Sequence, residues 1–302
     1  MTRKKLLVTG ASGFLGGHAS RFFSRADFDV FGIGHGQPSR DVGLSLQDYI
    51  DGSVAFESLK VFGLEFDYII HCAGGGKVHS SIEEPYSDFR KTVGGTAALL
   101  EYLRLENQNA YLIYPSSASV VGEIEEMPIS ENSDGFPASP YSMHKKICEQ
   151  MCNLYVRQYG LKIGILRLFS IFGEGLKKQI MWDSVRKFGS DESPVIFKGS
   201  GEETRDFIHI EEVLNIFNVM LDNEIIETIN GGTGEARTVR EVVGLIKKSM
   251  QIEKEFIFEH QTNKGNPTNM QASTEKLEEF YQLSNRNFNS DVAAYVYWAR
   301  KV

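Results

Sequence analysis

Cysteine is scarce: three in 302 residues, at Cys72, Cys148 and Cys152. An odd set in a long chain does not make a disulfide framework, and a reducing, cytoplasmic setting is expected. No uninterrupted apolar run approaches the ~18–20 residues that a spanning helix needs, so no membrane partner is expected. The opening Met1-Thr2-Arg3-Lys4-Lys5-Leu6-Leu7-Val8 starts like a signal peptide. Thr9-Gly10 then breaks the apolar stretch, and that reading is rejected. Positive charge is in deficit, with 32 Lys and Arg against 40 Asp and Glu, for a net charge of −8. Such a balance argues against a nucleic-acid partner. It leaves room for one small anionic ligand held by a few cations. Internal repeats and low-complexity tracts are absent. Cys148 and Cys152 share a helical face, but no second Cys or His pair stands at ligand spacing, so both are assigned to the core and no metal is expected.

What is present is a pattern of alternation. Strands are predicted over Lys5–Thr9, Val30–Ile33, Tyr68–Cys72, Ala110–Pro115 and Ile163–Phe169, with a doubtful one near Val42–Leu46. Helices are predicted at about 14–25, 84–104 and 141–158. This is the βαβ pattern of a doubly wound parallel sheet, an α/β Rossmann architecture. Past Ser170 short helices, loops and one strand near Glu227–Asn230 replace it. The expected organisation is a dinucleotide-binding domain over 1–170 and a smaller C-terminal substrate-binding lobe over 171–302, with the 227–230 strand returning to the main sheet. Ser200–Arg205 and Asn263–Asn269 read as loops. A polar excursion between Gly122 and Pro140 carries five acids and three prolines. Connections that long are often active-site walls or lids.

Leu6-Leu7-Val8-Thr9-Gly10-Ala11-Ser12-Gly13-Phe14-Leu15-Gly16 is a strand running into a glycine turn and then a helix. Gly10 permits the tight turn, Gly13 lets backbone approach a pyrophosphate, and Gly16 lets the helix lie close on the sheet. The anion would sit on free N–H groups at the positive end of the helix dipole. An NAD site usually carries an acid after the second strand. Here that position is Gly34, followed by His35, Ser39 and Arg40, which could tolerate a 2′-phosphate. NADP or NAD is therefore expected, with the balance tipped to NADP.

Pro140-Tyr141-Ser142-Met143-His144-Lys145 places Tyr and Lys four apart at a helix start, on one face. A phenol ionises near ~10, too high for a base at neutral pH. A neighbouring ammonium and an oxidised nicotinamide would both favour the phenolate. Such a group can take a proton from a sugar hydroxyl while hydride leaves the same carbon. Tyr297 and Lys301 repeat the spacing, so spacing alone does not decide. Company does: Ser116-Ser117-Ala118-Ser119 ends the preceding strand, where parallel sheets present ligand-binding residues. A Ser117 hydroxyl there can orient the reacting oxygen. His71, in an apolar strand, is read as a buried structural histidine, and Gly94-Gly95 as a site of close helix–sheet packing.

These residues together resemble the extended short-chain dehydrogenase/reductase family, in its NAD(P)-dependent nucleotide-sugar epimerase/dehydratase branch. Thr9-Gly10 through Gly16, with Ser12, Phe14 and Leu15, is similar to its cofactor loop. Asp67 through Ala73-Gly74 resembles its fourth-strand motif beside the adenine-side ribose. Ser117, Tyr141 and Lys145 match its catalytic triad. Gly199 through Arg205-Asp206-Phe207-Ile208-His209 resembles the segment whose arginine grips the substrate diphosphate. A guanidinium fork suits that group. The resemblance implies a nucleoside-diphosphate sugar as substrate and a homodimer through the helices near 84–104 and 141–158. Ser119, Ser170, Lys178 and Gln179 are the further substrate-binding candidates. The family's 4,6-dehydratases use an adjacent Asp-Glu pair after the triad hydroxyl. Ala118 and Ser119 stand there, which removes the acid for eliminating water. Thr92 and Ser170 replace usual Asn residues, and Glu174 a usual Pro. The expected activity is a 4-keto-sugar reductase, with a 4-epimerase that retains NAD as the alternative. A cofactor-binding protein without catalysis is the reading least supported, because Tyr141 and Lys145 are both present.

Overall fold

The computed structural model describes residues 3–259 and 267–302. Among the described residues twelve strands run β1 Lys4–Thr9, β2 Phe28–Gly34, β3 Asp48–Asp51, β4 Tyr68–His71, β5 Tyr111–Ser117, β6 Lys162–Leu168, β7 Ser170–Phe172, β8 Val195–Lys198, β9 Thr204–His209, β10 Thr228–Gly231, β11 Ala236–Thr238 and β12 Phe256–Glu259. The helices are α1 Phe14–Arg25, α2 Arg40–Gly43, α3 Phe56–Lys60, α4 Val78–Glu83, α5 Pro85–Phe89, α6 Gly95–Glu106, α7 Pro140–Tyr159, α8 Gln179–Phe188, α9 Ile210–Asn223, α10 Val239–Met250, α11 Glu275–Glu278 and α12 Phe288–Ala299.

Seven strands form one sheet in the order β10-β6-β5-β4-β1-β2-β3. The pairs among β1 to β6 are parallel. This is the doubly wound order, in which ligands bind outside the carboxyl ends of the strands where the winding reverses. Here the reversal lies between β1 and β4. The strands are almost wholly apolar because both faces are covered: Leu6, Leu7, Val8, Ile69, Ile70, Leu112 and Ile113 are all fully buried. On one face Leu99, Leu100, Leu103, Cys148 and Cys152 pack against them, so the two helical cysteines are core residues.

The chain divides into two compact units. The first holds 1–122, 134–168 and 214–229; the second holds 123–133, 169–213 and 230–302. In the second unit β11, β9 and β7 make a three-stranded sheet, and β12 pairs with β8.

Several expectations are corrected. The strand anticipated near Val42–Leu46 lies later, at Asp48–Asp51, and Val42 belongs to α2. The 84–104 helix is interrupted by a π-helical turn at Arg90–Gly94. A Cβ at Gly94 would meet nothing within 4 Å, so that exposed glycine does not serve close packing. Past Ser170 the chain is richer in strands than its pattern suggests, and Arg205 lies within β9 rather than in a turn. The Asn263–Asn269 stretch falls largely outside the described residues. The 122–140 excursion is not a free loop throughout: Ile129 bridges to Ala272, and the Glu131 carboxylate accepts the Asn230 N–H at 2.8 Å. No described helix is long and apolar enough to cross a membrane.

Candidate active site

The glycine turn leaves β1 at Gly10, whose φ of 67° is open to glycine and strained for other residues. A Cβ there would lie 2.8 Å from the Ala73 nitrogen, so the loops after β1 and β4 touch at the point where the winding reverses. Gly16 lies against the turn itself. Its Cβ would fall 2.3 Å from the Gly10 carbonyl oxygen and 2.7 Å from the Gly10 carbonyl carbon. The Thr9 hydroxyl ties the two loops, accepting the Ala73 N–H at 3.1 Å and bonding the His71 Nδ1 at 2.7 Å. His71 is fully buried, and desolvation drives its pKa down to about 3, so it is neutral and structural. Gly74, at φ 132°, precedes Gly75, whose N–H donates to the Thr92 hydroxyl at 2.8 Å. Thr92 sits in the π-helical turn.

Helix α1 begins at Phe14 with no side-chain cap and no acid in its first turn. Leu15 and Gly16 follow. The positive helix end is thus undressed beside bare backbone at Gly13, which fits a dinucleotide phosphate. Ser12 donates to the His35 carbonyl at 3.0 Å and so holds the loop after β2. His35 and Arg40 are exposed. That loop carries a charge that reading along the second strand missed. Asp51, at the end of β3 and in register with Gly34, accepts the Gly36 N–H at 2.8 Å. An acid therefore reaches this end of the sheet from the neighbouring strand.

Ser117 is the last residue of β5 and Tyr141 lies in the first turn of α7. Burial raises the Tyr141 phenol above its ordinary pKa, the Ser117 hydroxyl opposes that rise, and Asp88 adds to it. The first turn is held by Ser81, whose hydroxyl accepts the Tyr141 N–H at 3.0 Å, and by the cap Ser139, which accepts the Ser142 N–H at 3.2 Å. Lys145 is buried, and desolvation lowers its pKa. Its ammonium donates to the Pro115 carbonyl at 2.8 Å and sits 4.7 Å from the Tyr114 ring centroid. The shift of the phenol is set by burial, Ser117 and Asp88, while the Lys145 ammonium is held by the β5 backbone. A buried pair next to the phenol was also missed: His144 Nδ1 lies 2.6 Å from Asp88 Oδ2.

Ser119 belongs to the first unit, and Ser170, Lys178, Gln179 and Arg205 belong to the second. Ser170 opens β7 opposite Phe207 of β9. Lys178 stands at the cap of α8, which has no side-chain cap bond, and Gln179 begins that helix at φ 68°. Non-glycine residues held there are strained, a condition that collects at ligand sites. Arg205 donates to the Thr204 carbonyl at 2.6 Å and the Thr268 carbonyl at 3.1 Å. Among the described residues no carboxylate forms an ion pair with it; Glu203 and Glu123 act only at longer range. Asp206 is not its partner, being bound by Thr233, Gly234 and Ala272. No cluster of metal-ligating side chains occurs among the described residues.

Comparison with known proteins decides the family. The model of the NAD dependent epimerase/dehydratase family matches residues 6–232. The chain belongs to that family. A putative UDP-glucose 4-epimerase of Methanocaldococcus jannaschii is 29% identical over 84% of this chain and 85% of its own. UDP-glucuronate 4-epimerase 1 of Arabidopsis thaliana is 29% identical over 75% of this chain and 57% of its own. Among solved structures, the UDP-N-acetylglucosamine 4-epimerase of Methanobrevibacter ruminantium, bound to UDP-N-acetylmuramic acid, superposes with a TM-score of 0.89. It is 23% identical and covers 100% of this chain and 99% of its own, a likeness of fold. The protein is thus an extended short-chain dehydrogenase/reductase of the nucleotide-sugar epimerase/dehydratase type, an enzyme family described as NAD-dependent.

Proposed function

We propose that the protein is a nucleotide-sugar 4-epimerase that retains NAD, rather than the reductase its sequence favoured. The observation that carries this over the reductase is the Asp51 carboxylate bonded to the loop after β2, and Ala118, where a dehydratase needs an acid, sets that third activity aside. The relatives named above are described as 4-epimerases of UDP-sugars, the Methanocaldococcus jannaschii protein as a putative one, and a UDP-hexose is the proposed substrate. The preference for NADP rested on the missing acid after β2. Asp51 weighs against it, because a carboxylate bonded into that loop repels a 2′-phosphate.

In this reading residues 1–170 bind the cofactor and 171–302 the sugar nucleotide. Gly10, Ser12, Gly13, Phe14, Leu15 and Gly16 hold the pyrophosphate, while His35, Ala73 and Gly74 line the adenosine side. Arg40 loses the role that a 2′-phosphate would have given it. NAD, when bound, supplies a hydride acceptor whose hydride is returned, together with a positive ring that favours the phenolate. Tyr141 takes the proton of the C4 hydroxyl, and Ser117 steadies the phenol oxygen that receives it. Lys145, fixed by Pro115, positions the nicotinamide ribose. Arg205 is assigned to anchoring the diphosphate, and Lys178, Gln179, Ser119 and Ser170 to further substrate contacts. The 4-keto sugar turns over on that anchor, and Tyr141 then returns the proton on the other face.

Two measurements test the reading. Denaturing the purified protein should release NAD close to stoichiometrically. Incubation with UDP-glucose, UDP-N-acetylglucosamine or UDP-glucuronate should give the 4-epimer of one of them with no net change in reduced cofactor. Stoichiometric consumption of NADPH by a 4-keto sugar would establish the reductase instead.

Arg205→Ala should raise the KM for the sugar nucleotide at least about tenfold, the loss of one charge-assisted bidentate contact, with NAD content unchanged. Equal loss of both ligands, with a lowered Tm, would mean that Arg205 serves β9 and not the diphosphate.

A further inference from the structure

Four serine hydroxyls run in an unbroken line through the first unit. Ser139 and Ser142 Oγ are 2.9 Å apart, Ser142 and Ser119 Oγ 2.9 Å, and Ser119 and Ser117 Oγ 2.9 Å. Each hydroxyl has one proton to give and two lone pairs to receive. Ser142 donates to Ser119, so its single proton is used, and Ser139 must be the donor to Ser142. Ser119 has received one proton from the chain; across the 2.9 Å to Ser117 either hydroxyl can donate, and the chain takes Ser119 as that donor. Ser117 Oγ already accepts the Ser119 N–H at 3.3 Å. With the Ser119 hydroxyl as second donor its lone pairs are filled. Its own proton is then free to point at the Tyr141 oxygen and at nothing behind it.

We infer that Ser139, Ser142 and Ser119 form a one-way donor chain that fixes Ser117 as donor to the Tyr141 phenol oxygen, which makes Ser142 a positioning residue for the base. The inference rests on the reading of Tyr141 as that base. Chains of this kind strengthen each bond along the line. The chain is anchored where α7 begins, because the Ser139 oxygen also accepts the Ser142 N–H at 3.2 Å. Docking of the helix start and orientation of Ser117 are therefore one event. Asp88 of α5 and Tyr114 of β5 also interact with the phenol, and His144 and Lys145 follow it on α7. Asp88 is held by His144, and Lys145 by Pro115. None of these bonds involves Ser142, so its removal leaves them in place.

The test is Ser142→Ala beside Ser142→Thr, which keeps the hydroxyl. Each is made with Tyr141 present and with Tyr141→Phe, so that the ultraviolet difference titration isolates this one phenol among 12 tyrosines. Ser142→Ala should move the Tyr141 ionisation upward by about 0.5–1 pH unit. It should lower kcat about three- to tenfold at neutral pH, leave KM unchanged, and recover turnover as pH rises. Ser142→Thr should behave as the wild type. A Tyr141 titration unmoved by Ser142→Ala overturns the chain, and so does a loss of kcat equal at every pH. Should Tyr141→Phe keep full turnover, the base assignment fails, but the titration still reads the chain.

Discussion

Tyr141→Phe is expected to lower kcat at least about a hundredfold while NAD stays bound and the Kd for the sugar nucleotide moves little. Proton transfer by a positioned side chain is worth about 10²–10⁴ in rate. The substitution removes that transfer and little else. The ring keeps its place, since the first turn of α7 is held through the Tyr141 N–H on Ser81 and through the Ser139 cap, neither of which uses the phenol. Ser117 keeps its backbone donor from Ser119. Rates paired with calorimetric binding of the sugar nucleotide separate the outcomes. Lost turnover with retained binding is the expected one, and turnover near wild type removes Tyr141 from the chemistry.

The second large effect is on the cradle. Gly16→Val should destabilise the protein by about 3 kcal/mol or more and abolish NAD retention. Even the Cβ of such a side chain would sit 2.3 Å from one backbone atom of Gly10 and 2.7 Å from another. Backbone cannot rotate aside as a side chain does, so α1 must lift away from the turn it completes. The control is Gly94→Ala, whose Cβ meets nothing, and which should raise stability by about 0.5–1 kcal/mol through a stiffer unfolded chain. Denaturant melts of both variants, with the NAD content of each, check the pair. A Gly16→Val protein that melts normally and still carries NAD would mean the third glycine is incidental.

Much of this was legible along the chain. Strand–helix alternation specifies a parallel sheet because each strand must be buried on both faces, and β1, β4, β5 and β6 lie within a few residues of their predicted places. The glycine turn was readable because its constraint is local, a strand followed directly by a helix. Tyr141 and Lys145 were readable because helical spacing is fixed. What was hidden depends on contacts between distant segments. Asp51 reaches the loop after β2 only through β3 pairing, and β3 was sought near Val42 because its four residues are only partly buried. Asp88 and His144 are 56 positions apart, and the pairing of a short helix with α7 leaves no local trace. Lys145 had the expected neighbour in sequence and another in space. The strands of the second unit were missed because short two- and three-stranded sheets carry little periodicity.

In the proposed reaction the same hydrogen leaves and returns to one carbon, with Tyr141 handling the proton. The direct test is a nucleoside-diphosphate hexose deuterated at C4, incubated with the protein and no added cofactor. The expected product is the 4-epimer with deuterium kept at C4 and the label absent from solvent. Deuterium lost to water, or no epimer until reduced cofactor is supplied, would contradict it.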